Sequence, residues 1–196
     1  MLRVDDHEQG AARSVSDGVL AIIITIMVLE LKVPHGDSLE ALAPLGPVLV
    51  AYVLSFVYVG IYWNNHHHLL HTATRVTGGI MWANLHLLFW LSLLPAVTAW
   101  AGEYPTAAWP AALYGVVLLA SAFAWLILQR SLIRAGSPLG RIIGSDVKGR
   151  VSPLLYAAGI GVAFVRPWVS ELLYAIVAAM WVVPDRRVER ALTPGA

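Results

Sequence analysis

The chain contains no cysteine, which excludes a disulfide framework and thiolate-based redox or metal chemistry. Charge is scarce as well: Asp, Glu, Lys and Arg make up 13% of the residues, against about a quarter in soluble domains. A formal net charge of +1 gives no basic surface for a nucleic acid. No Ser/Gly-rich linker divides the chain, and residues 1–100 and 101–196 show no internal repeat. The first residues carry Asp5, Asp6 and Glu8 where a secretory signal has a basic region, and no small-residue cleavage site follows, so the first apolar helix is expected to be retained. No apolar stretch bears Arg or Lys at every third position, which excludes a voltage sensor. No run of the T-V-G-Y-G kind exists to build a backbone-carbonyl ion filter.

What is present is apolar. Hydrophobic residues account for 58% of the chain, and three long gaps, 41–74, 76–102 and 104–129, contain no Asp, Glu, Lys or Arg. Each exceeds the roughly 20 residues that cross a bilayer core. The pattern predicts an all-α integral membrane protein, one domain over 1–196, with six spans near 16–34, 46–69, 79–101, 108–131, 148–166 and 168–186. The last two are separated by Arg166-Pro167-Trp168.

Loop charges set the orientation. Arg3, Arg13, Arg75, Arg130, Arg134, Arg141, Lys148, Arg150, Arg186, Arg187 and Arg190 fall on one side and only Lys32 and Arg166 on the other. The positive-inside rule puts both termini in the cytoplasm, with Trp100, Trp109 and Trp168 at the outer interface. The start of span one (Ser16, Asp17), the end of span two (Trp63 to His68) and the start of span three (Trp82 to His86) then share one depth. Polar groups at membrane depth pair with one another, so a hydrogen-bonded cluster is expected there. His67 and His71, four apart, could alternatively hold a transition metal, although no second carboxylate-rich helix supplies E-x-x-H ligands.

Span one carries a second pattern. From Gly18, steps of three and four give Ile22, Thr25, Ile26 and Leu29 as one stripe. Several copies meeting around an axis would stack apolar rings with one hydroxyl layer, a constriction that gates by dewetting. Ordinary helix packing is the competing explanation of such a stripe.

Three stretches resemble a known family. Ser16-Asp17-Gly18-Val19, Ala21-Ile22 and Ile24-Thr25-Ile26 are similar to the F-S-D-G-V-x-A-I-x-I-T signature of the prokaryotic relatives of transmembrane protein 175, the endosomal and lysosomal potassium channel. Tyr62-Trp63 with His66-His67, and Asn84-Leu85, Leu88-Phe89, Ser92-Leu93-Leu94-Pro95 and Thr98, resemble its elements in spans two and three. The signature's Phe is Val15 here, and its Arg position holds Ala11, with Arg13 two residues further on. A two-residue shift turns a side chain about 200° around a helix.

The resemblance implies a homotetramer of six-span subunits in a prokaryotic cell membrane, with span one lining a central pathway. It implies a potassium-permeable, leak-like cation channel rather than an enzyme, without a cofactor, the permeant ion being potassium. Its narrowest ring would be Ile22, with Thr25, Ile26 and Leu29 beyond, and Ser16, Asp17, Trp63, His67, Asn84 and Arg13 forming a structural polar network. Two other classes fit the same residues: a proton or small-solute transporter titrating Asp17, His67 or Glu30, and a membrane enzyme with a histidine-bound metal.

Overall fold

In the computed structural model the described residues are 4–71, 73, 75, 77–138 and 146–182. They form an all-α bundle: α1 (Val4–Leu29), α2 (Gly46–His71), α3 (Gly78–Ser92), α4 (Leu94–Glu103), α5 (Ala108–Arg134), α6 (Val147–Ala163) and α7 (Pro167–Val182), with a 3-10 helix at Leu39–Leu45. Three segments, Leu39–Leu70, Gly78–Glu103 and Ala108–Arg134, are long and apolar enough to cross a membrane; α7 is shorter and apolar. Arg3, Arg141, Arg186, Arg187, Arg190 and the last turn expected of span six lie outside the described residues, as does the His71 side chain.

Several boundaries differ from those expected. Span one was expected over 16–34, but α1 is helical from Val4 and stops at Leu29. Acidic residues favour the first turns of a helix, and Asp5, Asp6 and Glu8 are consistent with the early start. At the other end Pro34 disfavours helical geometry at Val33, and Val33 is exposed in the following turn. Ser16-Asp17-Gly18 therefore sits well inside the helix and does not open it. The single expected span 79–101 is broken into α3 and α4 at Leu93, because Pro95 supplies no backbone N–H. Span five, expected to reach 166, ends at Ala163.

α5 ends in a hydrogen-bonded αL turn: Gly136 takes φ 94°, its N–H donates to the Ile133 carbonyl and the Ser137 N–H to the Leu132 carbonyl, both at 3.1 Å. Successive segments alternate in direction, as cross-bundle contacts require. Lys32 after α1 meets Glu103 at the end of α4, at 3.5 Å. Trp109 at the start of α5 packs edge-on against Phe164 beyond α6, and Trp181 near the end of α7 donates to Ser152 in the first turns of α6.

Lipid tails are as apolar as leucine, so close packing and buried hydrogen bonds must hold such helices together. Both are present. Gly102 lets α4 approach α2 until a Cβ there would stand 2.8 Å from the Val48 Cα, and Gly115 and Gly159 make room for the Tyr174 ring between α5 and α6. At mid-depth Ser55 on α2 hydrogen-bonds Thr98 on α4 at 2.7 Å and Tyr114 on α5 at 2.8 Å. The Tyr58 hydroxyl donates to the Tyr174 carbonyl at 2.5 Å, and the Tyr174 hydroxyl to the Ala111 carbonyl at 3.2 Å. These bonds fasten α2, α4, α5 and α7 into the scaffold on which α1 rests.

Candidate functional site: the two faces of α1

α1 is divided lengthwise. Arg13, Ser16, Leu20, Ile23 and Met27 follow one another at three or four residues and face the protomer; Leu20, Ile23 and Met27 are at most 2% exposed. The opposite arc is bare: Val15, Gly18, Ile22, Thr25, Ile26 and Leu29 are all exposed, Ile22 at 59% and Leu29 at 76%. Four large apolar side chains, Val15, Ile22, Ile26 and Leu29, therefore stand in line with no covering element from their own chain. Within that line Thr25 is turned inward on itself, its hydroxyl donating to the Ala21 carbonyl at 2.9 Å. The oxygen's lone pairs stay available to a cation or to water.

The buried arc ends in hydrogen bonds. Asn84 on α3 donates from Nδ2 to Ser16 Oγ at 2.9 Å and is bonded through Oδ1 to His66 Nε2 at 2.7 Å. Ser16, Asn84 and His66 are all at most 3% exposed. Because Asn84 Oδ1 can only accept, His66 Nε2 must be the donor, which sets its tautomer. A second, more open bond runs from Trp63 Nε1 to Asp17 Oδ1 at 3.0 Å. Arg13 donates from Nη2 to the Leu70 carbonyl at 2.9 Å, placing a cation on a carbonyl of the last turn of α2, where the helix dipole is negative.

Five of the six polar residues singled out in the sequence are thus distributed over three contacts. Ser16 meets Asn84, Asp17 meets Trp63, and Arg13 reaches α2. His67 is exposed, with its ring 6.1 Å from that of Trp63, and the buried imidazole bonded to Asn84 is His66. Three consecutive histidines hid the difference. His66 lies eleven residues after Ser55 and seven after Val59, both fully buried, and so shares their face of α2. Ser55 and Tyr114 passed unnoticed because isolated hydroxyls in apolar helices carry no period. Among the described residues no group of three or more His, Cys, Asp or Glu could hold a metal ion.

A polytopic helical bundle whose first helix is keyed to its neighbours along one side and leaves an apolar stripe uncovered on the other is a membrane protein of channel-forming type. The family profile described as "Endosomal/lysosomal potassium channel TMEM175" matches residues 12–95. A potassium channel of Chryseobacterium sp. (strain P1-3) is 50% identical over 187 residues, covering 94% of this chain and 97% of the relative. One from Streptomyces collinus is 34% identical over 188 residues, covering 88% and 90%. The crystal structure of a lysosomal potassium-selective channel TMEM175 homolog from Chamaesiphon minutus superposes with TM-score 0.77 at 28% identity, over 90% of this chain and 97% of that one. The chain belongs to the TMEM175 potassium channel family, as the sequence resemblance implied.

Proposed function

We propose that the chain forms a potassium-permeable, leak-like cation channel, four copies surrounding an axis with α1 innermost. The observation that carries the reading is the exposed line Ile22, Ile26 and Leu29 on α1, opposite a face that is buried and hydrogen-bonded. The potassium channels that it resembles over nearly their whole length support the choice of ion. In this assembly residues 1–196 act as one six-span domain in a prokaryotic cell membrane, termini on the cytoplasmic side. The contacts of Ser16, Asp17, Arg13, Trp63, His66 and Asn84 hold α1 in register. A ring of four Ile22 side chains offers a passing cation no oxygen in exchange for its water, and this desolvation sets the resistance. Thr25 provides the one hydroxyl layer. No cofactor and no catalytic step enter the mechanism.

Purified protein in a planar bilayer under opposed potassium and sodium gradients tests the reading. Unitary current steps with a reversal potential displaced toward that of potassium are expected. Saturable flux without unitary steps would instead identify a transporter.

A further inference from the structure

Away from α1, five aromatic side chains from four helices surround one cavity: Tyr58 and Tyr62 from α2, Trp125 from α5, Tyr156 from α6 and Trp181 from α7. Its walls are overwhelmingly carbon, and the polar atoms nearby are mostly engaged. Trp181 Nε1 donates to Ser152, Asn65 donates to the Ile61 carbonyl at 2.8 Å, and Tyr58 donates to the Tyr174 carbonyl. Between Tyr58 and Asn65, and between Gly149 and Tyr156, the lining extends over seven residues, about 10 Å of helix.

The end of the cavity at Asn65, Gly149 and Trp181 is the basic end of the bundle. Arg130 and Arg134 follow the lining residue Leu126 at four and eight residues, and Lys148 and Arg150 flank the lining residue Gly149. Arg130, Arg134 and Arg150 are exposed. Among the described residues of α5, α6, α7 and their connections the acids are Asp146 and Glu171. Asp146 accepts from the Gly149 N–H at 2.8 Å, and Glu171 lies toward the opposite end of α7. An apolar cleft between spans with a cationic rim at one membrane surface has the chemistry of an anionic-lipid site.

We propose that this cavity holds one acyl chain of an anionic phospholipid, whose phosphate rests on the Arg130, Arg134 and Arg150 rim. A lipid there wedges α2 against α5, α6 and α7, on a face adjoining the one through which α2 bonds α1 and α3. The site does not depend on where ions pass.

Native mass spectrometry of the delipidated full chain titrated with phosphatidylglycerol or phosphatidylcholine of identical acyl composition tests it. Phosphatidylglycerol should bind roughly tenfold more tightly, and the Arg130→Gln/Arg134→Gln/Arg150→Gln variant should lose that preference. Equal binding of the two lipids, or a preference that survives in the variant, overturns the rim. Phosphatidylglycerol carrying a diazirine in its acyl chain, photolysed with the unaltered protein, should label peptides containing Tyr62, Trp125 and Tyr156. Labelling confined to outward-facing residues such as Phe123 and Leu154 overturns the cavity as its seat.

Discussion

The exchange Ile22→Asn changes a side chain that is mostly exposed in its own protomer, so the fold should register it little. In a ring it replaces four apolar walls with four amides able to hold water, lowering the desolvation cost. Potassium flux into liposomes at matched protein amounts should rise, with weaker discrimination against sodium. Unchanged flux would shift the constriction to Ile26 or Leu29. Val28 lies about 120° round the helix from Ile22, and Val28→Asn should do much less. Asn84 is the converse case. Removing its amide with Asn84→Leu takes a hydrogen bond from each of two buried side chains, Ser16 and His66, at about 1–3 kcal/mol each. A marked fall in detergent thermal stability is expected. Asp17→Ala should cost less, because its partner Trp63 is half exposed. The reverse order of melting temperatures would contradict this ranking of the two contacts. At this scale the sequence disclosed which residue types belonged together but not which of three adjacent histidines turned inward, since that depends on a helical phase fixed by packing elsewhere along α2.

Among the elements, Gly102 and Gly18 make a controlled pair. A Cβ at Gly102 would run into the α2 backbone at Val48, whereas one at Gly18 meets nothing within 4 Å. Gly102→Ala should separate α2 from α4, with a loss on the order of 1–3 kcal/mol. Gly18→Ala should leave the melting temperature unchanged or raised, through the better helix propensity of alanine. Melting curves followed by size-exclusion retention distinguish the two, and equal losses would refute the close approach. The three segments long and apolar enough to cross a membrane were readable because charge-free gaps are long. Their ends were less so: apolar content says how far a span can extend, while Pro95 and Pro34 act through backbone geometry and override it locally.

For the molecule as a whole, four copies with α1 innermost should appear as a tetramer in native mass spectrometry, and monomers alone would remove the basis of an axial pathway. The absence of cysteine provides a blank background for topology. A single Val33→Cys should react with an impermeant maleimide added outside intact cells, and Pro138→Cys only after permeabilisation; the opposite pattern would invert the orientation. The family was legible because the motifs of spans one to three are dense in unusual residues. The aromatic cavity was not, since Tyr58, Trp125, Tyr156 and Trp181 are brought together from 58 to 181 by tertiary packing alone.

The hydrogen bonds at Ser16 also define a fulcrum. From Ser16 the helix rises about 9 Å to Ile22 and about 20 Å to Leu29, while its far end is tied by a solvent-exposed ion pair, Lys32 with Glu103, which contributes little in water. A rod pinned at its middle and lightly tethered at its far end tilts about the pin, within the play that the packing of Leu20, Ile23 and Met27 allows. Any small tilt of α1 about Ser16 would displace Leu29 about twice as far as Ile22, so in the proposed ring of four copies the aperture nearest the fulcrum would keep a steadier bore than the outer one.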